Sequence, residues 1–214
     1  MLSREDTMEK KSFSWKLKDV LLIAIAGVLF SFLYLGTVYV GSAISAALTP
    51  KGLGVLGWEP LYGIYFMAST FAILIIQKPG VGIVAEVIAS VLEVLMGNSF
   101  GPSVILNGII QGLGVEVAFA IFRYKRFDWT PTIISAFTVT AASYIYDCIA
   151  YQYYLNPVWM ILVQILIRLV SAIIFTSVIT KLLCNGLAKA GVLNAYPIGQ
   201  QAGSKKDYEV KDEE

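Results

Sequence analysis

Acidic side chains inside apolar sequence are the groups of this chain most able to bind a ligand. Five carboxylates lie within or at the edges of apolar segments: Glu59, Glu86, Glu93, Glu116 and Asp147. An ionisable side chain at the centre of a membrane-spanning helix costs at least ~2.5 kcal/mol on insertion scales, so it commonly has a function. Arg168 is the one basic residue that accompanies them. Because it can neutralise one acid, we expect a site with surplus negative charge, which would bind a cation.

The composition is that of a membrane protein. The chain has 214 residues, of which 57% are hydrophobic and 14% charged, and its mean hydropathy is +0.71. Soluble domains have about 25% charged residues, so we predict one membrane domain in contact with lipid. No basic stripe indicates nucleic-acid binding. The chain has no His, which excludes His metal sites and His general bases, and we expect neither a metal nor a cofactor.

Six apolar segments approach the length that a spanning helix needs, ~20 residues. Together they predict an all-α bundle of six transmembrane helices. Their approximate bounds are Leu17–Gly36, Leu61–Gln77, Gly80–Met96, Val104–Phe122, Thr130–Tyr153 and Val158–Leu183. The first segment stays apolar to Leu48, which is too long for one upright span. Gly36 and Gly41 predict a break, so Thr37–Leu48 would lie at the outer surface or fold back over the bundle, as a long first outer loop.

The Lys and Arg residues predict the orientation, because they collect in the cytoplasmic loops of membrane proteins. Counted over the predicted loops and tails, fourteen lie on the side of the two termini and one, Lys51, lies on the other side. Both termini are therefore predicted to be cytoplasmic, in a multi-pass protein of a prokaryotic plasma membrane. Residues 1–16 would form an N-terminal tail, 17–195 the six-helix domain, and 196–214 a largely disordered C-terminal tail.

The depths of the charged residues along the predicted helices indicate which of them pair. At ~1.5 Å per residue, Arg168 lies near the middle of the membrane, and Glu86 and Glu116 lie in its inner half. We predict that Arg168 forms a structural ion pair with one of these two acids. Glu93 and Asp147 lie one to two turns below the outer surface, with no basic residue at their level. They are predicted to face a ligand.

Aromatic and amide side chains accompany the outer acids. Tyr144 and Asp147 lie three residues apart and so share a helix face, and Asn107 and Gln111 lie one turn apart. Carboxylates beside aromatic rings suit a flat, cationic ligand, although Tyr and Trp also gather at membrane interfaces whatever the function. The predicted binding residues are Glu59, Tyr62, Glu93, Asn107, Gln111, Tyr144, Asp147, Tyr151, Trp159 and Gln164. The first of these, beside Pro60, would alternatively cap its helix.

The sequence lacks the motifs of several enzyme classes. It has no G-x-x-x-x-G-K-[ST] phosphate-binding loop and no G-x-S-x-G nucleophile motif. Tyr146-Asp147 resembles the first aspartate of an intramembrane aspartyl protease, but no G-x-G-D follows to supply the second acid. We therefore expect a binding or transport function without enzymatic activity.

Six short motifs, in order along the chain, resemble those of the YkoE family. They are Glu59-Pro60-x-Tyr62-Gly63, Lys78-Pro79-Gly80, Gln111-Gly112-Leu113-Gly114-x-Glu116, Tyr146-Asp147, Ile167-Arg168-x-x-Ser171 and Gly191-Val192-Leu193-Asn194. The resemblance extends from about Trp15 to Asn194. Members of this family are substrate-binding S components of energy-coupling-factor (ECF) vitamin transporters, and they are associated with thiamin or its hydroxymethylpyrimidine precursor.

The resemblance implies a six-helix membrane bundle that captures thiamin or the pyrimidine precursor from outside. It also implies two kinds of partner, a transmembrane coupling subunit and a pair of cytosolic ABC-type ATPases. An alternative within transport is an autonomous carrier whose acids relay protons or cations. A third class is an enzyme or a non-transporting membrane scaffold.

The first helix is the predicted contact with the coupling subunit. S components often present small residues on this helix, and here Ala24, Gly27 and Ser31 keep one face small. Small residues let membrane helices approach closely. The alternative is that the same face packs inside the bundle.

Overall fold

Helices make up almost all of the structure, a computed structural model that describes residues 14–203. The main α-helices are α1 (Leu17–Leu48), α2 (Met67–Ile76), α3 (Val81–Leu95), α4 (Ser103–Ile121), α5 (Trp129–Ala150), α6 (Val158–Ala172) and α7 (Thr180–Lys189). Short 3-10 segments lie at Thr49–Lys51, Gly54–Gly57, Glu59–Phe66 and Tyr153–Leu155, and a π-helical segment, Ile173–Ile179, joins α6 to α7. The prediction of an all-α protein is confirmed over these residues.

Several helical segments are suited to crossing a membrane. Five are long and apolar enough by length and composition: Leu17–Lys51, Gly54–Ile76, Ser103–Ile121, Trp129–Ala150 and Val158–Lys189. The remaining main helix, α3, has only 15 residues, and two of them are the acids Glu86 and Glu93. The protein is therefore a multi-pass membrane protein, and a sixth span at α3 stays a prediction.

The first helix, α1, runs without interruption for 32 residues. The predicted break at Gly36 and Gly41 is wrong, because both glycines lie inside the helix. Gly41 makes room for the indole ring of Trp58, since a Cβ there would lie 2.4 Å from Trp58 Cε3. At ~1.5 Å per residue α1 is about 48 Å long, more than the ~30 Å of a hydrocarbon core. Its C-terminal part therefore continues the wall of the bundle beside Gly54–Gly57 in place of an outer loop.

The second helix, α2, lies at the centre of the bundle. All ten of its residues are buried, and it contacts α1, α3, α4 and α7. A helix that is hydrophobic all round is stable when other elements cover every side of it. The 3-10 segment Glu59–Phe66 leads into α2 and packs against α6 and the π-helical segment.

Glycines of α4 set the close packing of α3, α4 and α5. A Cβ at Gly108 would lie 2.1 Å from Ser90 Oγ of α3, and a Cβ at Gly114 would lie 2.8 Å from Val139 Cα of α5. Gly112 lies equally close to the backbone of α3. Small residues allow such approaches between membrane helices. Because α4 is held between α3 and α5, polar residues of α3 and α4 come together at one end of the bundle.

The packed part of the chain extends beyond residue 195, where the predicted domain ends. Tyr196 and Ile198 are buried, and the Tyr196 hydroxyl donates a hydrogen bond to Lys18 O at 2.7 Å. This bond ties the C-terminal segment to the start of α1. The rest of the two predicted tails, residues 1–13 and 204–214, lies outside the described residues.

Candidate functional site

A cavity of about 160 Å³ lies where the C-terminal parts of α1 and α3 meet the start of α4. We call this the cavity end of the bundle. Seven of its fourteen lining residues are aromatic, five are polar and two are valines. They are Tyr34, Val38, Trp58, Tyr62, Tyr65, Ser90, Glu93, Asn98, Phe100, Val104, Asn107, Gln111, Tyr151 and Tyr153.

Glu93 is the one carboxylate among the lining residues. Its Oε1 accepts a hydrogen bond from Asn98 Nδ2 at 2.6 Å, and Asn98 is oriented by Phe100 N, which donates to Asn98 Oδ1 at 2.7 Å. Within residues 14–203, Glu93 Oε2 is buried without a hydrogen-bond partner, and no Lys or Arg pairs with this side chain. Burying a charge without a partner is costly, so this oxygen is the best placed atom to accept a ligand donor.

Amide side chains of α4 face the same cavity. Asn107 and Gln111 both line it, and Asn107 Oδ1 is buried without a partner in the described part of the chain. A side-chain amide can both donate and accept hydrogen bonds. The cavity therefore offers acceptors at Glu93 and Asn107 among flat aromatic faces, which suits a planar ring with N–H donors.

Arg168 of α6 forms a buried ion-pair network beside the cavity. Its Nε and Nη2 donate to Glu59 Oε2 and Oε1 at 2.7 and 2.9 Å, and its Nη1 lies 2.7 Å from Asp147 Oδ2. Nη1 also donates to Ser143 Oγ at 3.3 Å. All three charged side chains are fully buried. Two carboxylates against one guanidinium leave the network with one formal negative charge.

Tyr62 connects this network to the cavity. Its ring lines the cavity, its hydroxyl donates to Asp147 Oδ2 at 2.6 Å, and Arg168 Cζ lies 3.5 Å from the ring centroid. A second tyrosine borders the network from outside the cavity lining. Tyr144 OH donates to Gln164 Oε1 at 3.0 Å, and its ring centroid lies 5.0 Å from Arg168 Cζ.

The prediction that Arg168 pairs with Glu86 or Glu116 is wrong. Arg168 pairs with Glu59 and Asp147, because Glu59 lies deeper in the bundle than the apolar pattern indicated. Glu59 is the first residue of its 3-10 segment, but the second membrane-spanning segment begins five residues earlier, so this acid lies below the end of the span. Both carboxylate oxygens of Glu59 accept from Arg168, and no side chain caps the 3-10 segment that begins at Glu59, so the alternative of a helix cap is wrong.

Glu86 and Glu116 instead accept hydrogen bonds from backbone N–H groups. Glu86 Oε2 accepts from Ser69 N at 2.9 Å. Glu116 Oε1 accepts from Gly80 N at 2.5 Å and from Tyr124 OH at 2.8 Å; burial together with this bond raises the pKa of Tyr124. Gly80 directly precedes α3, and a carboxylate at a helix N-terminus both satisfies an N–H group and complements the helix dipole.

The structure divides the predicted binding residues into three groups. Five line the cavity: Tyr62, Glu93, Asn107, Gln111 and Tyr151. Four lie in or beside the Arg168 network and do not line the cavity: Glu59, Tyr144, Asp147 and Gln164. The prediction for Trp159 is corrected, because this side chain is 54% exposed and lies outside the cavity lining. It lies near the start of α6, where an interfacial tryptophan is common whatever the function.

The chain is similar to known transport proteins over most of its length. Residues 18–142 match the family described as "ABC-type cobalt transport system, permease component". A crystal structure of an S component of an ECF transporter aligns with a TM-score of 0.88 and 32% identity, over 93% of this chain and 98% of that one. YkoE of Bacillus subtilis (strain 168), described as an HMP/thiamine permease protein, is 33% identical over 193 residues, 90% of this chain and 94% of that protein. The chain belongs to the YkoE family of ECF S components.

The motifs by which the chain resembles the YkoE family contact one another in the bundle. The motif that begins at Glu59 pairs with the motif that contains Arg168, first through the ion pair between these residues. Ser171 Oγ then donates to Pro60 O at 2.7 Å and accepts from Gly63 N at 3.0 Å. In the same way, the acid of the α4 motif binds the backbone of the motif before α3. These motifs therefore hold pairs of segments together.

Several lining residues are not among the ten predicted binding residues. They are Tyr34, Val38, Trp58, Tyr65, Ser90, Asn98, Phe100, Val104 and Tyr153. Closeness in sequence to predicted binding residues could have indicated two of them, because Asn98 follows Glu93 by five residues and Tyr153 follows Tyr151 by two. Val38 has no such signal, because it lies beyond the predicted break at Gly36 and lines the cavity only where α1 continues as a helix. The continuation of α1 past Gly36 thus contributes to the cavity wall.

The predicted docking face on α1 is also corrected. Gly27 and Ser31 are buried, and a Cβ at Gly27 would lie 2.5 Å from Ile88 Cγ2 of α3. Ala24 is exposed, at the edge of the buried stripe. Gly27 and Ser31 therefore pack inside the bundle, as the alternative held, and the small residues serve the contact of α1 with α3.

Proposed function

We propose that this YkoE-family chain captures thiamin or its hydroxymethylpyrimidine precursor in the cavity, for uptake by an ECF transporter. The observation that supports this most strongly is Glu93 Oε2, a buried carboxylate oxygen without a partner in residues 14–203. Thiamin carries a permanent positive charge on its thiazolium ring and N–H donors on its aminopyrimidine ring. The precursor shares the aminopyrimidine ring, so Glu93 would accept from the exocyclic amine that both molecules have.

The aromatic lining suits a flat ring of this kind. Aromatic rings pack favourably with other rings at centroid separations of ~4.5–7 Å, and they attract cations through their faces. An apolar cavity of about 150 Å³ holds a benzene-sized molecule, which is close to the 160 Å³ of this cavity. We propose that the pyrimidine ring fills the cavity, with the thiazolium ring of thiamin toward the opening.

The distribution of basic residues supports capture from outside. Lys51 follows α1 at the cavity end. Apart from the buried Arg168, the other described basic residues lie at the opposite end of the bundle: Lys16, Lys18, Lys78, Arg123, Lys125, Arg126, Lys181 and Lys189. Because Lys and Arg favour the cytoplasmic side, the cavity would open to the outside and both termini would be cytoplasmic.

Capture alone does not accumulate a vitamin against its gradient. Accumulation requires two states of different affinity that are driven from elsewhere, and this sequence has no phosphate-binding loop motif. A transmembrane coupling subunit and cytosolic ABC-type ATPases would therefore complete the transporter. We propose that this chain binds its ligand without converting it.

Calorimetric titration of the detergent-purified chain tests this proposal. Thiamin, or hydroxymethylpyrimidine, or both, should bind saturably at one site, and mass spectrometry should recover the bound molecule unchanged. Biotin is a matched control, because it has neither an aminopyrimidine ring nor a positive charge, and it should not bind. The proposal fails if neither pyrimidine compound binds, or if the recovered molecule has been converted. Uptake driven by a proton gradient in vesicles without ATPases would favour the autonomous carrier.

A further inference from the structure

We propose that Arg168, Glu59 and Asp147 are positioning residues for Tyr62 and that they do not contact the ligand. This inference rests on the proposed function, because it concerns how the cavity is shaped for its ring-containing ligand. None of the three charged residues lines the cavity, and all three side chains are fully buried. Tyr62 belongs to both places, since it lines the cavity and bonds to the network.

Two separate contacts fix the ring of Tyr62. Its hydroxyl donates to Asp147 Oδ2 at 2.6 Å, which fixes the far end of the side chain. Arg168 Cζ lies 3.5 Å from the ring centroid, which fixes one face of the ring. Arg168 is itself held by the two parallel bonds to Glu59, a geometry that restricts the guanidinium plane. The orientation of Tyr62 is therefore set by the network.

A ring that is already oriented improves affinity without contributing a new contact. Ordering a side chain when a ligand binds costs about 0.5–1.5 kcal/mol, and pre-organisation removes this cost. Tyr65 provides the comparison, because it lines the same cavity but no cation of residues 14–203 lies against its ring. The network thus assigns Tyr62 the role of a fixed stacking surface for the pyrimidine ring.

A double-mutant cycle on thiamin affinity separates positioning from contact. The variants are Tyr62→Phe, Asp147→Asn and the double variant, each measured by calorimetric titration of the full chain in detergent. Tyr62→Phe keeps the ring and removes the bond to Asp147, and Asp147→Asn leaves Arg168 its pair with Glu59. Each single change should weaken binding about threefold to tenfold, the range of one net hydrogen bond. In the Tyr62→Phe background, Asp147→Asn should then have no further effect.

The cycle has defined outcomes for each part of the account. Independent effects that multiply would show that Asp147 contacts the ligand directly, which overturns the positioning role. Unchanged affinity in Asp147→Asn, with a lower melting temperature, would show a purely structural role and would also overturn it. Failure of the unaltered chain to bind either pyrimidine compound would instead refute the proposed function. Tyr65→Phe is the matched control, and its effect should multiply with that of Asp147→Asn.

A second variant keeps the test available if Asp147→Asn does not fold. Glu59→Gln weakens the bonds that hold Arg168 and leaves Tyr62 and Asp147 unaltered. It replaces one carboxylate oxygen by an amide nitrogen of similar size. It should lower thiamin affinity in the unaltered chain and have no further effect together with Tyr62→Leu, which removes the ring that Arg168 contacts. Effects of Glu59→Gln and Tyr62→Leu that multiply would contradict the inference.

Discussion

At the scale of single residues, the buried carboxylates differ in what compensates their charge. Glu59 and Asp147 share Arg168 as their cation, whereas Glu86 and Glu116 accept hydrogen bonds from backbone N–H groups. Glu93 has only the amide of its neighbour in the loop, and its second oxygen is unpartnered within residues 14–203. Glu86, Glu116 and Asp147 also have one unpartnered oxygen each in this part of the chain, but Glu93 is the acid that lines the cavity. Since a buried charge needs a partner, we propose that the ligand supplies the partner of Glu93.

Removal of Arg168 should destabilise the protein more than any surface change. Arg168→Ala leaves Glu59 and Asp147 buried without their cation, and breaking a buried pair in this way costs about 3–5 kcal/mol. We expect a large loss of folded protein and a lower melting temperature in detergent. Arg126→Ala is the matched control, because its pair with Asp128 is about half exposed and such pairs contribute little. Equal melting temperatures for the two variants would contradict this account of the network.

The sequence predicted which residue types form the site but not which of them pair. Glu93, Asn107 and Gln111 could be placed at the cavity end because depth along a helix follows from residue spacing. The partner of Arg168 could not be found in this way, since it depends on where the second span begins. The span begins at Gly54, in short 3-10 segments that lead past Glu59, and the apolar residues on either side do not mark this start.

At the scale of elements, the junction of the 3-10 segment Glu59–Phe66 with the last helix supports the site. Gly63 lies against the backbone of α6, where a Cβ would come within 2.2 Å of Ser171 O. Thr176 Oγ1 of the π-helical segment donates to Gly63 O at 2.9 Å. These bonds to one glycine bring α6 close enough for Arg168 to reach Glu59. The π-helical segment thus lies next to the network. Irregular helical turns of this kind are often found at functional sites.

A single added methyl group should disturb this junction. Gly63→Ala would place a Cβ against the backbone of Ser171, and overpacking of this kind costs about 1–3 kcal/mol. We expect a lower melting temperature in detergent and weaker thiamin binding, because the network behind Tyr62 would shift. Gly36→Ala is the control, since a Cβ there meets nothing within 4 Å. If both variants melt like the unaltered chain, the close approach at Gly63 does not support the site.

The helices themselves were largely predictable, because apolar length determines them. The predicted fourth segment, Val104–Phe122, differs from α4 by one residue at each end. The predicted break in α1 was wrong for a physical reason: Gly36 is exposed and Gly41 receives the Trp58 ring, and neither role interrupts helical hydrogen bonding. The sequence alone does not show whether a glycine is needed to form a turn or to make room for a neighbouring side chain.

At the scale of the whole molecule, the two ends of the bundle differ in chemistry. The cavity end has aromatic and amide side chains around Glu93, and the opposite end has eight of the ten described basic residues. This asymmetry, together with membership of the YkoE family, supports the proposal that the protein binds a cationic or amine-bearing ring from outside. We propose that recognition depends on Glu93, the acid that lines the cavity and has no basic partner among residues 14–203.

The affinity of the Glu93→Gln variant for thiamin tests the central claim most directly. Loss of a charged hydrogen bond in a desolvated site is worth ~1.5–3 kcal/mol, so calorimetric titration should show affinity reduced about tenfold or more, with little change in melting temperature. Glu86→Gln is the matched control, because it alters an equally buried acid two turns away on the same helix, outside the cavity lining, and thiamin affinity should stay unchanged. Unchanged affinity in Glu93→Gln, or an equal loss in both variants, would contradict the assignment of Glu93 as the ligand-binding acid.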